Sequence, residues 1–251
     1  MIVMGLAAAT VWAAEPAGVI LLHGKEGSPN AKYYGSFVST LMREGFLVRT
    51  PEMPWSRGRA LNRSFETAME EVDDVVKELR AAGAKKIFIA GHSLGANAAL
   101  YYGTRSSVDG VLAIAPGHVP ELKGFQERLG DSVERARRMI QTGHGDERAS
   151  FADTNQGKDF TVQTTAQIYL SYMDPAGHAV MPKNAAALKP GCPLLWVIGT
   201  NDPMYERGPS YAFEKAPSHP LNKYLVVRSN HLNTPEAATG EIVVWLKAVN
   251  P

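Results

Sequence analysis

Residues 86–100 read KIFIAGHSLGANAAL, and no other stretch restricts the architecture of the chain as strongly. An apolar, β-branched run (Ile87, Phe88, Ile89) breaks at Gly91-His92-Ser93-Leu94-Gly95 and continues in small residues of helical character (Ala96, Ala98, Ala99, Leu100). The pattern is G-x-S-x-G, which carries a serine on a sharp turn between a strand and a helix. Both glycines are needed because the backbone doubles back there and leaves no room for a side chain. The turn lifts the Ser93 hydroxyl clear of the sheet, and the following helix aims its first amides and its dipole at the same point. A nucleophile held at an anion-stabilising position is what acyl transfer requires. The competing expectation is a strand-to-helix turn whose serine only caps the helix.

From Gly18 onward, short apolar runs alternate with helical periodicity, the pattern of a mainly parallel sheet with helices on both faces. Strands are predicted at 19–22, 46–48, 87–89, 111–114, 194–198 and 224–227. Ser28-Pro29 is predicted to start a helix that buries Tyr34, Phe37, Val38 and Leu41 and stops near Gly45. Met69, Val72, Val75, Val76 and Leu79 form the apolar stripe of a second helix closed by Gly83. A last helix runs from Thr234 through Ile242, Val243, Trp245 and Leu246. No repeat or linker marks a second domain, so residues 15–251 are predicted to form one α/β domain.

One interval breaks the alternation. Between the strand ending near Pro116 and the one beginning near Pro193 lie about seventy-five residues, far beyond a usual connection. Residues 117–190 are predicted to be a helical insertion lying at the carboxyl ends of the strands, where it caps the site. Within it, 121–140 is densely charged. Residues 160–173 are expected to be helical, with a strand as the alternative. An insertion that packs on the body and touches no substrate is the competing expectation for the whole interval.

The balance of charges is +1, which gives no electrostatic case for nucleic acid as a partner. Hydrophobic residues make up 45% of the 251, enough for an ordinary globular core. Cys192, the single cysteine, stands before Pro193 at the start of an apolar strand and is expected to be a buried, inert thiol. The first fourteen residues, MIVMGLAAATVWAA, are too short for a stable membrane span. They resemble the apolar region of a secretory signal, with Val11-x-Ala13 as a cleavage site but no preceding Lys or Arg. The corresponding expectation is a secreted or periplasmic protein; an N-terminal strand or arm is the alternative. Neither H-E-x-x-H nor a phosphate loop occurs, and neither a metal nor a cofactor is expected.

A serine hydroxyl needs an adjacent base, itself held in one tautomer by a third group. His231, in RSNHLNTP, follows the last predicted strand, and Asp202, in GTNDPMY, follows the one before it. Both positions reach the sheet edge where Ser93 stands. Asp174, also before a proline, is the reserve acid. His118, His144, His178 and His219 are assigned to solvent or packing, and His92 to packing beneath the elbow. The main-chain amide of Leu94 is the first oxyanion donor, and that of Lys25, after His23-Gly24 at the end of the first strand, is the second. His23 is expected to hydrogen-bond within its own loop. The Lys25 and Glu26 side chains either pair at the surface or face the substrate.

With elbow, oxyanion loop, acid and histidine assigned, the chain resembles the α/β-hydrolase family, in particular small esterases and dienelactone-hydrolase-like members. The residues carrying the resemblance are His23-Gly24, Gly91-His92-Ser93-Leu94-Gly95, Asp202 and His231, and the element order extends it over Gly18 to Val249. Two departures stand out: dienelactone hydrolases usually carry Cys where this chain has Ser93, and no room remains for the antiparallel strands that often precede the oxyanion strand. The resemblance implies a mainly parallel sheet of about six strands, with the insertion between the family's sixth and seventh strands. It also implies cofactor-free hydrolysis of a small-molecule carboxylic ester through an acyl-serine. Thioesters, amides and peptides are alternative substrates for the same residues, and a catalytically silent binding protein on the same scaffold is the alternative of a different class.

Overall fold

The computed structural model describes residues 15–251; the leader expected over 1–14 lies outside them. The described residues open with strand β1 (Ala17–Leu22), helix α1 (Gly35–Arg43), β2 (Leu47–Arg49) and α2 (Ala68–Ala81). The elbow joins β3 (Lys86–Ser93) to α3 (Leu94–Arg105), and β4 (Gly110–Pro116) follows. The insertion supplies α4 (Lys123–Gln141), β5 (Arg148–Asn155), β6 (Lys158–Thr165), α5 (Ala166–Met173) and α6 (Met181–Ala186). The chain closes with β7 (Leu194–Asn201), β8 (Lys223–Asn230), α7 (Thr234–Ala237) and α8 (Thr239–Val249).

Six strands pair in the order β2-β1-β3-β4-β7-β8, all parallel, as the alternating sequence pattern predicts. Successive side chains of a strand point to opposite faces, so each central strand supplies two cores. Ile20, Leu22, Ile87 and Ile89 pack on one side against Met69, Val72 and Leu79 of α2 and Leu100 of α3. Val19, Leu21, Phe88 and Ala90 pack on the other side against Phe37 and Leu41 of α1 and Ile242, Trp245 and Leu246 of α8. Gly45 and Gly83, at φ +92° and +98°, end α1 and α2 in the left-handed conformation a glycine supplies without strain. Cys192 is buried, and burial pushes its thiol up to about 11, in keeping with an inert packing role. Among the described residues, no helix is long and apolar enough to cross a membrane.

Two local expectations change. The first helix does not start at Ser28-Pro29: Ala31 is extended (φ −60°, ψ 132°), a 3-10 turn covers Lys32–Tyr34, and α1 begins at Gly35. Ser28 instead closes a turn by accepting from Ala31 N–H. The insertion is also not wholly helical. β5 and β6 form an antiparallel hairpin, so residues 160–165 are strand and only 166–173 are helix. Thr161, Val162, Thr164 and Thr165 are β-branched, and the buried Val162 and Thr164 alternate with the exposed Thr161 and Gln163, the pattern of a half-covered strand. Gln156 and Gly157 turn the hairpin at φ +49° and +78°, the double positive φ of a tight two-residue connection. The Thr165 hydroxyl then accepts from Ile168 N–H and caps α5.

A buried ion pair fastens this hairpin to the body. Lys25 Nζ lies 2.5 Å from Asp153 Oδ1, with the two side chains only 6% and 2% exposed. Lys25 therefore does not pair with Glu26 at the surface. Asn155 Nδ2–H also donates to Lys25 O at 3.2 Å. Asp153→Ala would strand a buried ammonium and is expected to destabilise the protein by about 3 kcal/mol. Urea unfolding measures the loss, and a Lys25→Met, Asp153→Leu double variant is expected to recover much of it.

Candidate active site

Ser93 occupies the turn at φ +58°, ψ −121°, a strained conformation for a residue with a side chain. A Cβ on Gly91 would run into the Gly95 carbonyl and lie 2.5 Å from Ala96 N. One on Gly95 would strike the Leu22 carbonyl oxygen and sit 2.7 Å from that of His23. The sequence therefore places glycine where the chain crosses itself and crosses β1. The Ser93 hydroxyl makes no cap hydrogen bond to α3, which removes the capping role as its explanation.

His231 stands just past β8 and Asp202 just past β7. His231 Nδ1 and Asp202 Oδ2 are 2.7 Å apart, and the Asp202 side chain is fully buried. Asp202 Oδ1 accepts from Met204 N–H at 2.8 Å, so both carboxylate oxygens are used. A carboxylate facing Nδ1 fixes the proton there and leaves Nε2 with its lone pair. A Cβ on Gly117 would lie 3.0 Å from Ser93 Oγ and 3.5 Å from His231 Cε1, so the two side chains flank this glycine. The reserve acid Asp174 is taken by Arg137, at 2.9 Å.

The oxyanion loop is held from several sides. His23 Nδ1–H donates to Gly24 O at 2.8 Å, and His23 Nε2 accepts from Met53 N–H at 3.0 Å. Trp55 Nε1–H donates to His23 O at 2.7 Å. Gly24 N–H donates to the Tyr34 hydroxyl and Glu26 N–H to Trp55 O. Among the described residues, the Lys25 N–H between them has no partner, and Lys25 lines the same cavity as Leu94 and Ser93.

That cavity has a volume of about 660 Å³. The body contributes Ser93, Leu94, Asp202, Pro203, Met204 and His231 to its wall. The insertion contributes His118, Val119, Phe125, Arg128 and the hairpin tip from Thr154 to Gly157. The insertion thus faces the elbow directly. Sequence reasoning assigns His118 to solvent or packing, but the structure places it on the cavity wall, and the hairpin tip is not foreseen at all. His118 follows the end of β4, where a pocket residue is expected, but nothing in the local pattern marks its role.

Burial lowers three histidines below their ordinary value of 6.5: His23, His118 well below it, and His92 to about 3. His144, His178 and His219 lie outside this wall. An unfolded chain protonates all three buried rings below about pH 6.5 while the folded chain leaves them neutral, so stability falls as pH falls through that window. Each contributes a slope of up to about 1.4 kcal/mol per pH unit. Burial raises the Glu121 carboxyl, which opposes this trend as pH falls from its raised value toward the ordinary one. Urea midpoints at pH 7.5, 6 and 5 are expected to decrease in that order; equal midpoints would contradict neutral burial of these rings.

The sequence matches the Alpha/beta hydrolase family over residues 19–242. No curated protein sequence matches the chain. Among solved structures, a monoacylglycerol lipase from Paleococcus ferrophilus superposes with TM-score 0.66 at 22% identity, covering 94% of this chain and 97% of that one. Est1E from Butyrivibrio proteoclasticus, bound to ferulic acid, gives 0.64 at 15%, covering 93% and 89%. A thioesterase domain from the curacin biosynthetic pathway gives 0.54 at 14%, covering 92% and 91%. With an all-parallel sheet in this order, a serine on a strained elbow and a family match over most of its length, the chain belongs to the alpha/beta hydrolase family.

Proposed function

We propose that the protein is a serine hydrolase that cleaves carboxylic esters through an acyl-serine intermediate. The observation that carries this is the 2.7 Å contact of His231 with the buried Asp202, on the wall of the cavity that Ser93 also lines. Asp202 keeps the proton on Nδ1 and stabilises the imidazolium that forms during reaction. His231 Nε2 takes the Ser93 proton as Oγ attacks the ester carbonyl, then delivers it to the departing alcohol. The main-chain N–H groups of Leu94 and Lys25 hold the tetrahedral oxyanion, a contribution of about 2.7–4 kcal/mol per donor. Water deprotonated by His231 then releases the acid and restores Ser93.

Leu94, Val119, Phe125, Pro203 and Met204 give the cavity an apolar wall suited to a small or medium acyl or alcohol group. The thioesterase domain of similar fold favours a second reading, in which the same groups act on thioesters. A series of p-nitrophenyl esters of rising acyl length, run beside the matching thioesters and anilides, separates the two. The highest kcat/KM is expected on esters. Faster thioester turnover would favour the second reading, and no turnover of any acyl substrate would favour a silent binding protein.

A further inference from the structure

The residue at the variable position of the elbow does more than fill space. His92 Nε2 lies 2.9 Å from the main-chain oxygen of His231, and His92 Nδ1 lies 2.9 Å from the Tyr34 hydroxyl. The Tyr34 oxygen in turn lies 3.3 Å from Gly24 N. A carbonyl oxygen can only accept, so the proton on His92 sits on Nε2. Nδ1 of the neutral ring is then an acceptor and takes the Tyr34 O–H, which leaves the Tyr34 oxygen free to accept from Gly24 N–H. Every donor in the chain has one acceptor, and all point the same way.

We propose, resting on the hydrolase reading above, that Tyr34 and His92 are positioning residues that hold the oxyanion loop and the base loop in register through this single directional chain of hydrogen bonds. One end fixes the amide immediately before Lys25, and the other fixes the main chain that carries the His231 ring. Tyr34 and His92 are buried, so the chain is sheltered from competing water. Burial is also the main cause that holds His92 neutral, and the neighbouring His231, 5.0 Å away between ring centroids, adds to it. A neutral His92 is required: a protonated ring would carry a hydrogen on Nδ1 and clash with the Tyr34 donor. Neither residue touches the reacting atoms, and their role is to set where those atoms are held.

Removing one hydroxyl by Tyr34→Phe deprives Gly24 N–H of its acceptor and leaves His92 Nδ1 without a donor, which breaks the chain between the two loops. A small displacement of base or oxyanion donor is felt in the transition state, so kcat on a p-nitrophenyl ester is expected to fall about 10–100-fold with KM within about twofold. His92→Gln keeps an amide N–H for the His231 carbonyl and is expected to exceed His92→Met in kcat by about tenfold. Imidazole ¹⁵N spectra provide a readout that packing alone would not move: wild-type His92 should show a protonated Nε2 and an unprotonated Nδ1 that accepts a hydrogen bond, and Tyr34→Phe should keep the tautomer but move the Nδ1 signal toward that of a free imine nitrogen. A kcat for Tyr34→Phe within twofold of wild type, equal activity of the two His92 variants, or a wild-type ring protonated on Nδ1 would each overturn the proposal. Failure of the hydrolase reading is told apart because it shows with Tyr34 and His92 intact, as no ester turnover by the wild type or as turnover that survives Ser93→Ala.

Discussion

Ser93→Ala is expected to lower kcat on any ester the wild type hydrolyses by roughly 10⁶-fold, with KM little changed. The alanine keeps the elbow, the amides and the cavity but offers no atom to acylate. His231→Ala is expected to cost about as much, and Asp202→Asn about 10⁴-fold, because base and nucleophile act as a unit that the acid only orients. For the same reason the Ser93→Ala, His231→Ala double variant should be hardly worse than either single one. The asparagine at 202 would present an N–H to Nδ1 and select the wrong tautomer, whereas in the native site Met204 N–H and the His231 ring satisfy both carboxylate oxygens. Steady-state kinetics with purified variants of matched thermal stability measures all four. Additive losses, or a silent effect at position 202, would contradict the assigned roles.

Gly95→Ala is expected to remove more than about 5 kcal/mol of stability, which for a domain of ordinary stability means no folded protein. Its Cβ would enter the contact sphere of two backbone carbonyls, those of Leu22 and His23, and backbone cannot step aside as a side chain does. Relief requires α3 to retreat from β1, which would open the core around Leu100 and turn the Leu94 amide out of place. Gly24 is milder: a Cβ there would sit 3.0 Å from Ser93 Cβ, so Gly24→Ala should fold and lose activity first. Circular dichroism melts of the two variants, compared with wild type, separate these outcomes. A folded Gly95→Ala protein would show that the strand-to-helix crossing is looser than described.

Where local geometry forces a residue type, the sequence was legible. The two elbow glycines, the apolar strands on either side of them and the helix-closing Gly45 and Gly83 each follow from sterics that act within a few positions. Asp202 and His231 could be assigned because chain order fixes which strand ends reach the Ser93 edge. The hairpin was harder. Residues 160–173 mix β-branched threonines with Ile168, Tyr169, Leu170 and Tyr172, and the turn at Gln156-Gly157 lacks the Asn-Gly pair that announces such connections. Long-range polar partners were not legible at all. Lys25 and Asp153 are 128 positions apart, and the Tyr34–His92 hydrogen bond spans 58, so neither leaves a periodic mark. Such pairs depend on how β1, the elbow and the insertion are stacked, which local pattern does not encode.

The reaction assigned to this cavity requires that Ser93 alone, among the serines of the chain, be activated for attack. Incubation with a fluorophosphonate probe followed by peptide mass mapping tests that requirement directly. The account predicts one phosphonylated residue, Ser93, with labelling lost in Ser93→Ala and strongly slowed in His231→Ala. Label on another residue, or label that persists in Ser93→Ala, would contradict it.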